Sequence, residues 1–429
     1  MAVLPTGFGK SLPYQLYLPV ARQLKQLAGD SHSETEDVFD EKVIVCCPLI
    51  SLMQDQVQQM KKKGMRVGFK GDSAETDKMI EDGEIDLIYA SPETLVGDPI
   101  WRSSLRRLNV KVIVVDEFHT IATWGEDEDH QKAAFRKWFS YIGELRSLFP
   151  QASVLALSAT CTKKIRKRVV KVLSMKEDYT EVVLSPNKSN IKLIVSKVHK
   201  DLEIALCFLV DGLNELKDTF PRTIIYCTSI KDTCNIFTYL ATELPVLHDL
   251  FDMYHSETPD EQKNAILHSL KDGQSKLRII IATSALGMGI DVVNCHSVLL
   301  FGLPKDIVDL IQEIGRVGRD GQSAVAILLY NQYHMLKISK DVKSILKTTK
   351  CRRISLMESF LTDKQIEQLK SEIGVHTCCD LCGIACLCGT CEITIMEQLL
   401  KKSTVSETST SSSSPECDTD YDGTEDEMN

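Results

Sequence analysis

Short apolar runs that alternate with longer amphipathic stretches constrain the fold of this chain more than any other feature. The runs are rich in Val, Ile and Leu, and each is separated from the next by a segment of helix length. Continuously apolar strands of this kind are typical of parallel sheets that helices cover on both faces. Four runs lie in the first half of the chain, at residues 43–47, 87–90, 112–115 and 154–157, and four in the second half, at residues 223–227, 278–282, 297–301 and 325–330.

Two sets of such strands predict two tandem α/β lobes, joined near Ser185-Pro186-Asn187. A length of 429 residues suits two or three domains. After the last run the pattern becomes helical and then cysteine-rich, and the end of the chain is acidic, rich in Ser and Thr, and lacks apolar periodicity. We therefore expect parallel-sheet lobes at residues 1–185 and 186–345, a small helical cysteine-rich subdomain at 346–395, and a disordered tail at 402–429.

Composition limits the class of protein and its partners. No run of about 18 apolar residues predicts a membrane span, and we expect no secretory leader. Fifteen cysteines in a chain of this type suggest reduced thiols and a metal site rather than a disulfide scaffold. The net charge is −10, but eight acids and no Lys or Arg lie after residue 402, so the other 402 residues carry a net charge of only −2. Binding of nucleic acid would therefore need a local basic cleft.

The first motif with clear chemistry is the glycine-rich segment Leu-Pro-Thr-Gly-Phe-Gly-Lys-Ser at residues 4–11. Gly7 and Gly9 let backbone N–H groups converge on phosphate oxygens, Lys10 would reach the β- and γ-phosphates, and Ser11 would hold Mg²⁺. The strict phosphate-loop pattern fails at its first position, which is Leu4. An ordinary turn between a strand and a helix is the alternative.

Two adjacent carboxylates strengthen the nucleotide interpretation. Asp116 and Glu117 follow an apolar run, which places them at the carboxyl end of a strand, where α/β folds bind ligands. Asp116 is suited to coordinate Mg²⁺ and Glu117 to orient an attacking water molecule. The alternative role is to cap the following helix. Together with residues 4–11, the pair predicts a site that binds and hydrolyses ATP.

The second lobe contains Gln-Glu-Ile-Gly-Arg-Val-Gly-Arg at residues 312–319. Arg316 and Arg319 are three apart on a predicted helix, so both would point across a cleft between the lobes. The γ-phosphoryl group needs such a cation in the transition state, and we assign Arg319 as the arginine finger with Arg316 as its support. A surface helix with solvated arginines is the alternative. Ser158-Ala159-Thr160, after a first-lobe strand, could link the nucleotide site to the second lobe.

With these segments the chain resembles the RecQ family of ATP-dependent DNA helicases, within the wider DEAD/DEAH-type superfamily. The resemblance rests also on residues 48–57 (Pro-Leu-Ile-Ser-Leu-Met-Gln-Asp-Gln-Val), 91–93 (Ser-Pro-Glu) and 282–291 (Ala-Thr-Ser-Ala-Leu-Gly-Met-Gly-Ile-Asp). It implies two RecA-like lobes, ATP and Mg²⁺ between them, 3′-to-5′ translocation on single-stranded or partly duplex DNA, and a nuclear location.

The resemblance also implies roles for individual residues. The ATP-facing residues would be Gly7, Gly9, Lys10, Ser11, Asp116, Glu117, Gly289, Asp291, Gln312, Arg316 and Arg319. DNA would be contacted near Pro48, Ser51, Ser91, Glu93 and Thr283. An aromatic loop that senses the strand would contain His119, Trp124, Phe135, Arg136, Trp138 and Phe139, although Trp138 and Phe139 could equally belong to the core.

Zinc is the expected metal of the cysteine-rich region. The family pattern is one Cys before two arginines and then three Cys spaced by two residues, and this chain offers Cys351, Cys379 and Cys382 in register. His376 occupies the remaining register position, and Cys378 is the competing choice. Such a zinc would be structural, because no ligand position is left for water. Cys386, Cys388 and Cys391 are further candidates outside the pattern, and buried free thiols are the alternative.

Two departures from the family weaken the expectation of duplex unwinding. No segment before Met1 corresponds to the adenine-reading stretch of family members, and nothing after the cysteines resembles their winged helix. We therefore expect ATPase activity stimulated by single-stranded DNA more firmly than unwinding. An RNA helicase and a relative that binds nucleic acid without turnover are the competing functions.

Overall fold

The computed structural model describes residues 1–5, 7–27, 40–123, 137–286 and 292–410. Within these residues, thirteen strands form two sheets in which every paired neighbour is parallel. The sheets follow one another along the chain and helices pack against both. The predicted α/β class with two tandem lobes is confirmed. No helix in the described ranges is both long and apolar enough to cross a membrane.

The first lobe has a seven-stranded sheet in the order β3-β4-β2-β5-β6-β1-β7. Its strands are β1 (Ala2–Val3), β2 (Glu41–Cys46), β3 (Val67–Phe69), β4 (Leu87–Ala90), β5 (Asn109–Val115), β6 (Ser153–Ser158) and β7 (Val182–Val183). Its helices are α1 (Leu12–Leu27), α2 (Ile50–Lys62), α3 (Ala74–Glu81), α4 (Pro92–Gly97), α5 (Pro99–Leu105), α6 (Thr120–Thr123), α7 (Leu145–Leu148) and α8 (Lys163–Val172), with a 3-10 helix at Lys137–Glu144.

The second lobe has a six-stranded sheet in the order β10-β11-β9-β12-β13-β8. Its strands are β8 (Ile191–Lys197), β9 (Thr223–Cys227), β10 (Phe251–Tyr254), β11 (Ile279–Ala282), β12 (Ser297–Phe301) and β13 (Ala324–Tyr330). Its helices are α9 (Leu202–Leu216), α10 (Ile230–Glu243), α11 (Asp260–Lys271), α12 (Ile307–Ile314), α13 (Gln332–Met335) and α14 (Lys340–Lys347), with 3-10 turns at Lys217–Thr219, His248–Leu250 and Ser284–Leu286.

The cysteine-rich region is helical, as predicted, and folds against the second lobe. Its helices are α15 (Arg352–Met357), α16 (Asp363–Glu372), α17 (Val375–Cys378), α18 (Asp380–Ala385) and α19 (Ile395–Thr410). Helix α19 buries Met396, Leu399 and Leu400 in the apolar cluster that also contains the inner face of α9. Lys192 of β8 donates to both carboxylate oxygens of Glu397, at 2.9 and 3.1 Å.

The start of the tail differs from its prediction. We expected disorder from residue 402, but α19 continues to Thr410. The packed residues upstream supply the nucleus of this helix, and extending an existing helix requires no further nucleation. Residues 411–429 lie outside the described part of the chain.

The order of the strands positions the nucleotide motifs. Strands β5, β6 and β1 are neighbours in the first sheet and run in the same direction. Their carboxyl ends therefore lie side by side, and the segments that follow them meet at one edge of the sheet. These segments are residues 4–11, 116–119 and 158–160, which are far apart in sequence.

Candidate nucleotide and nucleic-acid site

The glycine-rich segment forms a tight turn between β1 and α1. Gly7 and Gly9 have φ angles of +88° and +78°, a conformation that residues with a Cβ rarely adopt. A Cβ on Gly9 would also lie 2.9 Å from Cδ1 of Leu12. The turn brings Lys10 and Ser11 to the amino end of α1, where backbone N–H groups point toward a bound anion. Thr6 lies outside the described residues.

Lys10 and Glu117 form an ion pair at the centre of the site. Lys10 Nζ lies 2.7 Å from Oε1 of Glu117, and the two side chains are only 14% and 17% exposed. Glu117 follows β5 with a φ of 49°, a strained backbone conformation that turns its carboxylate toward the lysine. The structure thus brings together the two motifs that the sequence placed at one site.

Asp116 lies beside this pair and is buried. Its Oδ1 accepts the backbone N–H of Glu117 at 2.9 Å. Burial, together with the charge of Glu117, raises the pKa of the Asp116 carboxyl to about 6. Burial acts in the same direction on Glu117, but Lys10 and His119 outweigh it and lower the pKa of that carboxyl below its usual range. The two carboxylates are therefore held in different electrostatic environments.

His119 connects the carboxylates to the strand β6 and to the second lobe. The ring is buried, with Nδ1 at 2.9 Å from Oγ of Ser158 and 3.3 Å from Oε2 of Glu117. Nε2 lies 3.1 Å from Nε2 of Gln312, which also donates to Oγ1 of Thr160 at 3.0 Å. Because the Gln312 amide N–H is a donor, it assigns His119 Nε2 as the acceptor and leaves the ring proton on Nδ1.

Arg316 and Arg319 do not lie on a helix, and the prediction that they share a helical face is wrong. Helix α12 ends at Ile314, and residues 315–319, here called the arginine turn, continue in a non-helical path. Gly318 has a φ of +58°, and a Cβ there would lie 2.5 Å from the Asn190 side chain. Helix α12 is capped by Gly315, and Gly318 lies three residues beyond that cap, so a turn rather than a helix sets the spacing of the two arginines.

The segment between the lobes holds the arginine turn in place. Lys188 Nζ donates to the carbonyl of Gly315 at 2.8 Å, and Asn190 Nδ2 donates to the carbonyl of Gly318 at 2.8 Å. Sequence reasoning missed both residues, because an isolated Lys and Asn after a proline carry no pattern that distinguishes them from a solvated loop.

Arg316 is buried at the interface of the lobes. Burial lowers the pKa of its guanidinium, and the neighbouring Arg319 adds to that effect, whereas the negative charge of Glu117 opposes it. Charged groups of the two lobes therefore interact across the cleft.

Glu313 is also buried, and burial together with Asp309 raises the pKa of its carboxyl to about 8. This second buried acid was not singled out from the sequence.

The residues expected to contact DNA follow the carboxyl ends of strands in both lobes. Pro48 lies between β2 and α2, Ser51 lies in the first turn of α2, and Ser91 caps α4 by accepting the N–H of Thr94. Glu93 lies in that same helix, and β2 and β4 are adjacent strands, so these two segments lie side by side. In the second lobe, Thr283 directly follows β11, and its N–H donates to the carbonyl of Tyr254.

Several predicted site residues cannot be placed in this geometry. Gly289, Asp291, Trp124, Phe135 and Arg136 lie outside the described residues. Trp138 is described and packs against α4, where a Cβ on Gly97 would lie 2.9 Å from the indole ring. This packing favours the core alternative for Trp138. The side chain of Phe139 lies outside the described part of the chain.

Four cysteine sulfurs meet between α15, α17 and α18. Cys351, Cys378, Cys379 and Cys382, here called the inner cluster, have ligand atoms within 4.8 Å of one another and form no disulfide. Tetrahedral zinc with Zn–S bonds of about 2.3 Å separates its sulfurs by about 3.8 Å, so the donor set fits this metal. His376 is not in the cluster and Cys378 takes its place, which corrects the preferred assignment and favours the competing one.

The one-turn helix α17 explains this exchange. Successive helical residues are about 100° apart, so His376 and Cys378 point to nearly opposite sides. Cys378 therefore faces Cys351, at an Sγ–Sγ distance of 3.3 Å, and His376 faces away toward Cys386, Cys388 and Cys391.

The two arginines after Cys351 anchor the inner cluster. Arg353 is buried and donates to the carbonyls of Lys188, Ile191 and Cys378 and to Oδ1 of Asn187. Arg352 pairs with Asp380 at 2.6 Å. The cluster is thereby tied to the segment between the lobes.

Comparison with known families gives two matches along the chain. Residues 1–168 match the DEAD/DEAH box helicase model, and residues 203–321 match the helicase conserved C-terminal domain. The first match contains Lys10 and Glu117, and the second contains Gln312 and the arginine turn.

The relatives in curated collections are longer than this chain. The mouse bifunctional 3′-5′ exonuclease/ATP-dependent helicase WRN is 30% identical over 409 residues, covering 89% of this chain and 27% of WRN. The probable ATP-dependent DNA helicase RecS of Bacillus subtilis is 31% identical over 340 residues, covering 77% and 60%. ATP-dependent DNA helicase RecQ of Pasteurella multocida is 28% identical over 336 residues, covering 77% and 47%. The chain thus spans less than two thirds of each of these relatives.

Solved structures show the same fold. Mycobacterium smegmatis helicase Lhr bound to ssDNA and AMP-PNP superposes with a TM-score of 0.58 at 20% identity, covering 84% of this chain and 46% of Lhr. Saccharomyces cerevisiae Dbp5 bound to RNA and ADP BeF3 gives 0.57 at 17% identity, covering 87% and 89%. These likenesses concern the two RecA-like lobes alone. The two family models together match most of the chain, which therefore belongs to the DEAD/DEAH box helicases, and the curated relatives that it resembles are RecQ-type ATP-dependent DNA helicases.

Proposed function

We propose that this chain hydrolyses ATP between its two lobes and uses the energy to move 3′ to 5′ on single-stranded DNA and to separate partly duplex DNA. The observation that carries the proposal is the continuous contact path from Lys10 through Glu117 and His119 to Gln312. The path joins the phosphate-binding turn of one lobe to the motif that ends α12 in the other. Direction and DNA preference rest on the RecQ resemblance, and action on chromosomal DNA would place a eukaryotic protein of this kind in the nucleus.

The phosphates would bind at the amino end of α1, cradled by backbone N–H groups around Gly7 and Gly9. Ser11 and Asp116 would hold Mg²⁺, which neutralises charge on the β- and γ-phosphates. Asp116 suits this role because it offers a buried carboxylate oxygen, the donor that Mg²⁺ prefers, at the carboxyl end of β5.

The Lys10–Glu117 ion pair suggests how nucleotide binding makes Glu117 available to orient the attacking water. The Lys10 ammonium group cannot pair closely with both the Glu117 carboxylate and a phosphate. The larger negative charge of a triphosphate would therefore attract it away from Glu117. Glu117 would then be released to orient the attacking water, with His119 still 3.3 Å from its other oxygen. In this scheme Glu117 becomes active only when phosphate is present.

The arginine turn would supply positive charge from the opposite wall of the cleft. Arg316 already interacts with the charge of Glu117, and Arg319 follows in the same turn. We propose Arg319 as the group that contacts the transferring phosphoryl and Arg316 as its support. Gln312 would couple the position of these two arginines to the first lobe through its contacts with Thr160 and His119.

DNA would lie across both lobes, over the segments near Pro48, Ser51, Ser91, Glu93 and Thr283. Hydroxyl and backbone N–H groups at strand ends suit phosphate contacts that do not depend on base identity. Because these contacts belong to different lobes, a change in the separation of the lobes during hydrolysis would advance the strand.

The test is phosphate release with saturating ATP and Mg²⁺, measured without nucleic acid, with a thymidine homopolymer and with a uridine homopolymer. We expect stimulation by DNA, and loss of turnover in Lys10→Ala. Lys25→Ala is the matched control, because this exposed lysine pairs with Glu41 away from the site. Stimulation by RNA alone would favour the RNA-helicase alternative, and retention on DNA without turnover would favour a binding protein. Duplexes with a 3′ or a 5′ tail then test direction.

A further inference from the structure

A second group of metal-binding side chains lies outside the inner cluster. His376, Cys386, Cys388 and Cys391, here called the outer cluster, have ligand atoms within 4.8 Å of one another and share no residue with the inner cluster. Nδ1 of His376 lies 3.3 Å from Sγ of Cys386, 3.2 Å from Sγ of Cys388 and 3.4 Å from Sγ of Cys391. One ring nitrogen therefore faces three sulfurs at nearly equal distances.

We propose that the outer cluster binds a second zinc ion, with three thiolates and one imidazole as ligands. Tetrahedral zinc with bonds of about 2.3 Å to sulfur and about 2.0 Å to nitrogen has ligand–ligand separations of about 3.5 to 3.8 Å. The sulfurs of Cys388 and Cys391 lie 3.4 Å apart, so a small outward shift of each ligand admits the ion. Sulfur and imidazole donors select zinc over magnesium or calcium.

The backbone around the outer cluster is shaped for a metal loop. Gly389 has a φ of +68°, between the two cysteines of Cys388-Gly-Thr-Cys391, and the turn uses this conformation to bring both sulfurs to the same side. The N–H of Thr390 donates to Sγ of Cys388 at 3.3 Å. The N–H of Cys382 makes the same kind of bond to Sγ of Cys379 in the inner cluster, at 3.5 Å. Such bonds stabilise the negative charge of a coordinating thiolate.

The position of the outer cluster gives the second zinc a structural task. Residues 386–394 join α18 to α19 without a helix or strand of their own. Leu387 and Ile384 in and beside this segment are exposed, so apolar packing does not hold it. A zinc ion would fix the segment to α17 through His376 and thereby set where α19 begins. With all four ligands supplied by the chain, no coordination position remains for a substrate.

The alternative fate of these thiols is a disulfide between Cys388 and Cys391. At 3.4 Å their sulfurs are not bonded, and such a bond would leave Cys386 and His376 without a reason to converge on the same point. Three thiols and one imidazole around one point are instead the complete ligand set of a structural zinc site.

The experiment is the metal content of the full chain, purified without chelator and measured by elemental analysis together with a count of free thiols under denaturing conditions. We expect two zinc ions per chain in the natural sequence and one in Cys388→Ser and in Cys391→Ser. Cys234→Ser is the matched control, since that cysteine lies in α10 away from both clusters, and it should keep two. Cobalt substitution adds a second readout: Cys388→Ser should remove about three sevenths of the thiolate-to-cobalt absorption if the inner site has four sulfurs and the outer site three.

One zinc ion in the natural chain with no change in Cys388→Ser would overturn the proposal. The proposal would also be overturned if the natural chain had two free thiols fewer than its number of cysteines and Cys391→Ser had no such deficit. That result would indicate a disulfide between Cys388 and Cys391. ATPase activity does not enter either measurement, so failure of the helicase proposal and failure of the second zinc site are distinguishable.

Discussion

Gln312 of the second lobe donates its side-chain N–H to His119 Nε2 of the first lobe, at 3.1 Å. The same amide donates to Oγ1 of Thr160, so one side chain contacts the segments after β5 and after β6. His119 in turn lies against Glu117, the carboxylate that holds Lys10. A displacement of α12 relative to the first sheet must therefore break or strain contacts that begin at the phosphate-binding turn.

Replacing Gln312 by Ala tests this link between the lobes. The change removes two hydrogen bonds, each contributing about 1 kcal/mol, so we expect DNA-stimulated turnover to fall by about tenfold to hundredfold. Binding of a non-hydrolysable ATP analogue should change far less, because Lys10 and the glycine turn are intact. Steady-state turnover with and without DNA, and a nucleotide titration, measure the two effects.

A double-mutant cycle with His119→Ala provides the control for Gln312→Ala. If the two residues act through one contact, the double variant should lose little more than the worse single variant. Gln322→Ala, at an exposed position beyond the arginine turn, should leave turnover unchanged. Strictly additive losses from the two single changes would contradict a direct link.

The Lys10–Glu117 ion pair makes a prediction that separates stability from catalysis. Lys10→Ala leaves the partly buried carboxylate of Glu117 without the Lys10 ammonium group, so we expect a loss of both turnover and thermal stability. Adding Glu117→Gln removes that charge and should restore the melting temperature without restoring turnover. Glu117→Gln alone should bind nucleotide but lower turnover by about a hundredfold or more. A double variant that melts no higher than Lys10→Ala would show that the pair does not govern stability.

How far the sequence predicted these features depends on how local each one is. Three strands, at residues 87–90, 223–227 and 297–301, have the bounds expected from their apolar runs, because they are buried on both faces and flanked by polar residues. The two-residue strands β1 and β7 could not be predicted, since each exists only through pairing with a partner distant in sequence. Lys10 and Glu117 could be assigned to one site from the sequence, because α/β sheets bind ligands at the carboxyl ends of their strands.

The two incorrect predictions concern features that depend on contacts between segments distant in sequence. Spacing alone suggested that Arg316 and Arg319 share a helical face, but α12 ends at Ile314 with Gly315 as its cap, and hydrogen bonds from the segment between the lobes hold the turn that follows. Register alone favoured His376 as a member of the inner cluster, but the side-chain directions on the one-turn helix α17 place Cys378 there instead. Both features depend on where a short helix begins and ends, and helix ends are difficult to predict from the local sequence.

Glu313 predicts a pH-dependent stability. Its pKa is raised to about 8 in the folded chain, against 4.5 for an unperturbed glutamate. The folded state therefore binds this proton more tightly, and the resulting stability is complete below pH 4.5 and is lost as the pH rises toward 8. Glu313→Gln keeps the neutral form, so its stability relative to the natural chain should increase by about 2 kcal/mol between pH 6 and pH 8.

Urea unfolding at the two pH values measures this difference. Glu257→Gln, at an exposed position, controls for the loss of one acidic charge. A difference between the Glu313→Gln and natural chains that is equal at pH 6 and pH 8 would mean that Glu313 is ionised in the folded protein at both.

Arg353 links the inner cluster to the arginine turn, and this link should be visible in both stability and turnover. Its guanidinium donates to the carbonyl of Lys188, whose ammonium group donates to the carbonyl of Gly315, immediately before Arg316. Lysine offers one compact ammonium group in place of this planar fork, so Arg353→Lys should leave buried carbonyls unsatisfied. We expect a loss of about 3 kcal/mol in the free energy of unfolding, together with lower turnover at unchanged affinity for DNA.

Denaturant unfolding, zinc content and DNA-stimulated phosphate release measured on the same preparation test this prediction. Lys350→Ala, at an exposed position next to Cys351, is the matched control and should change the free energy of unfolding by less than about 0.5 kcal/mol. If Arg353→Lys has the same zinc content as the natural chain but loses turnover, the defect lies in the path from Arg353 to the arginine turn, because the inner cluster is unchanged. Unfolding and turnover equal to those of the natural chain would show instead that the inner cluster and the catalytic cleft are mechanically independent.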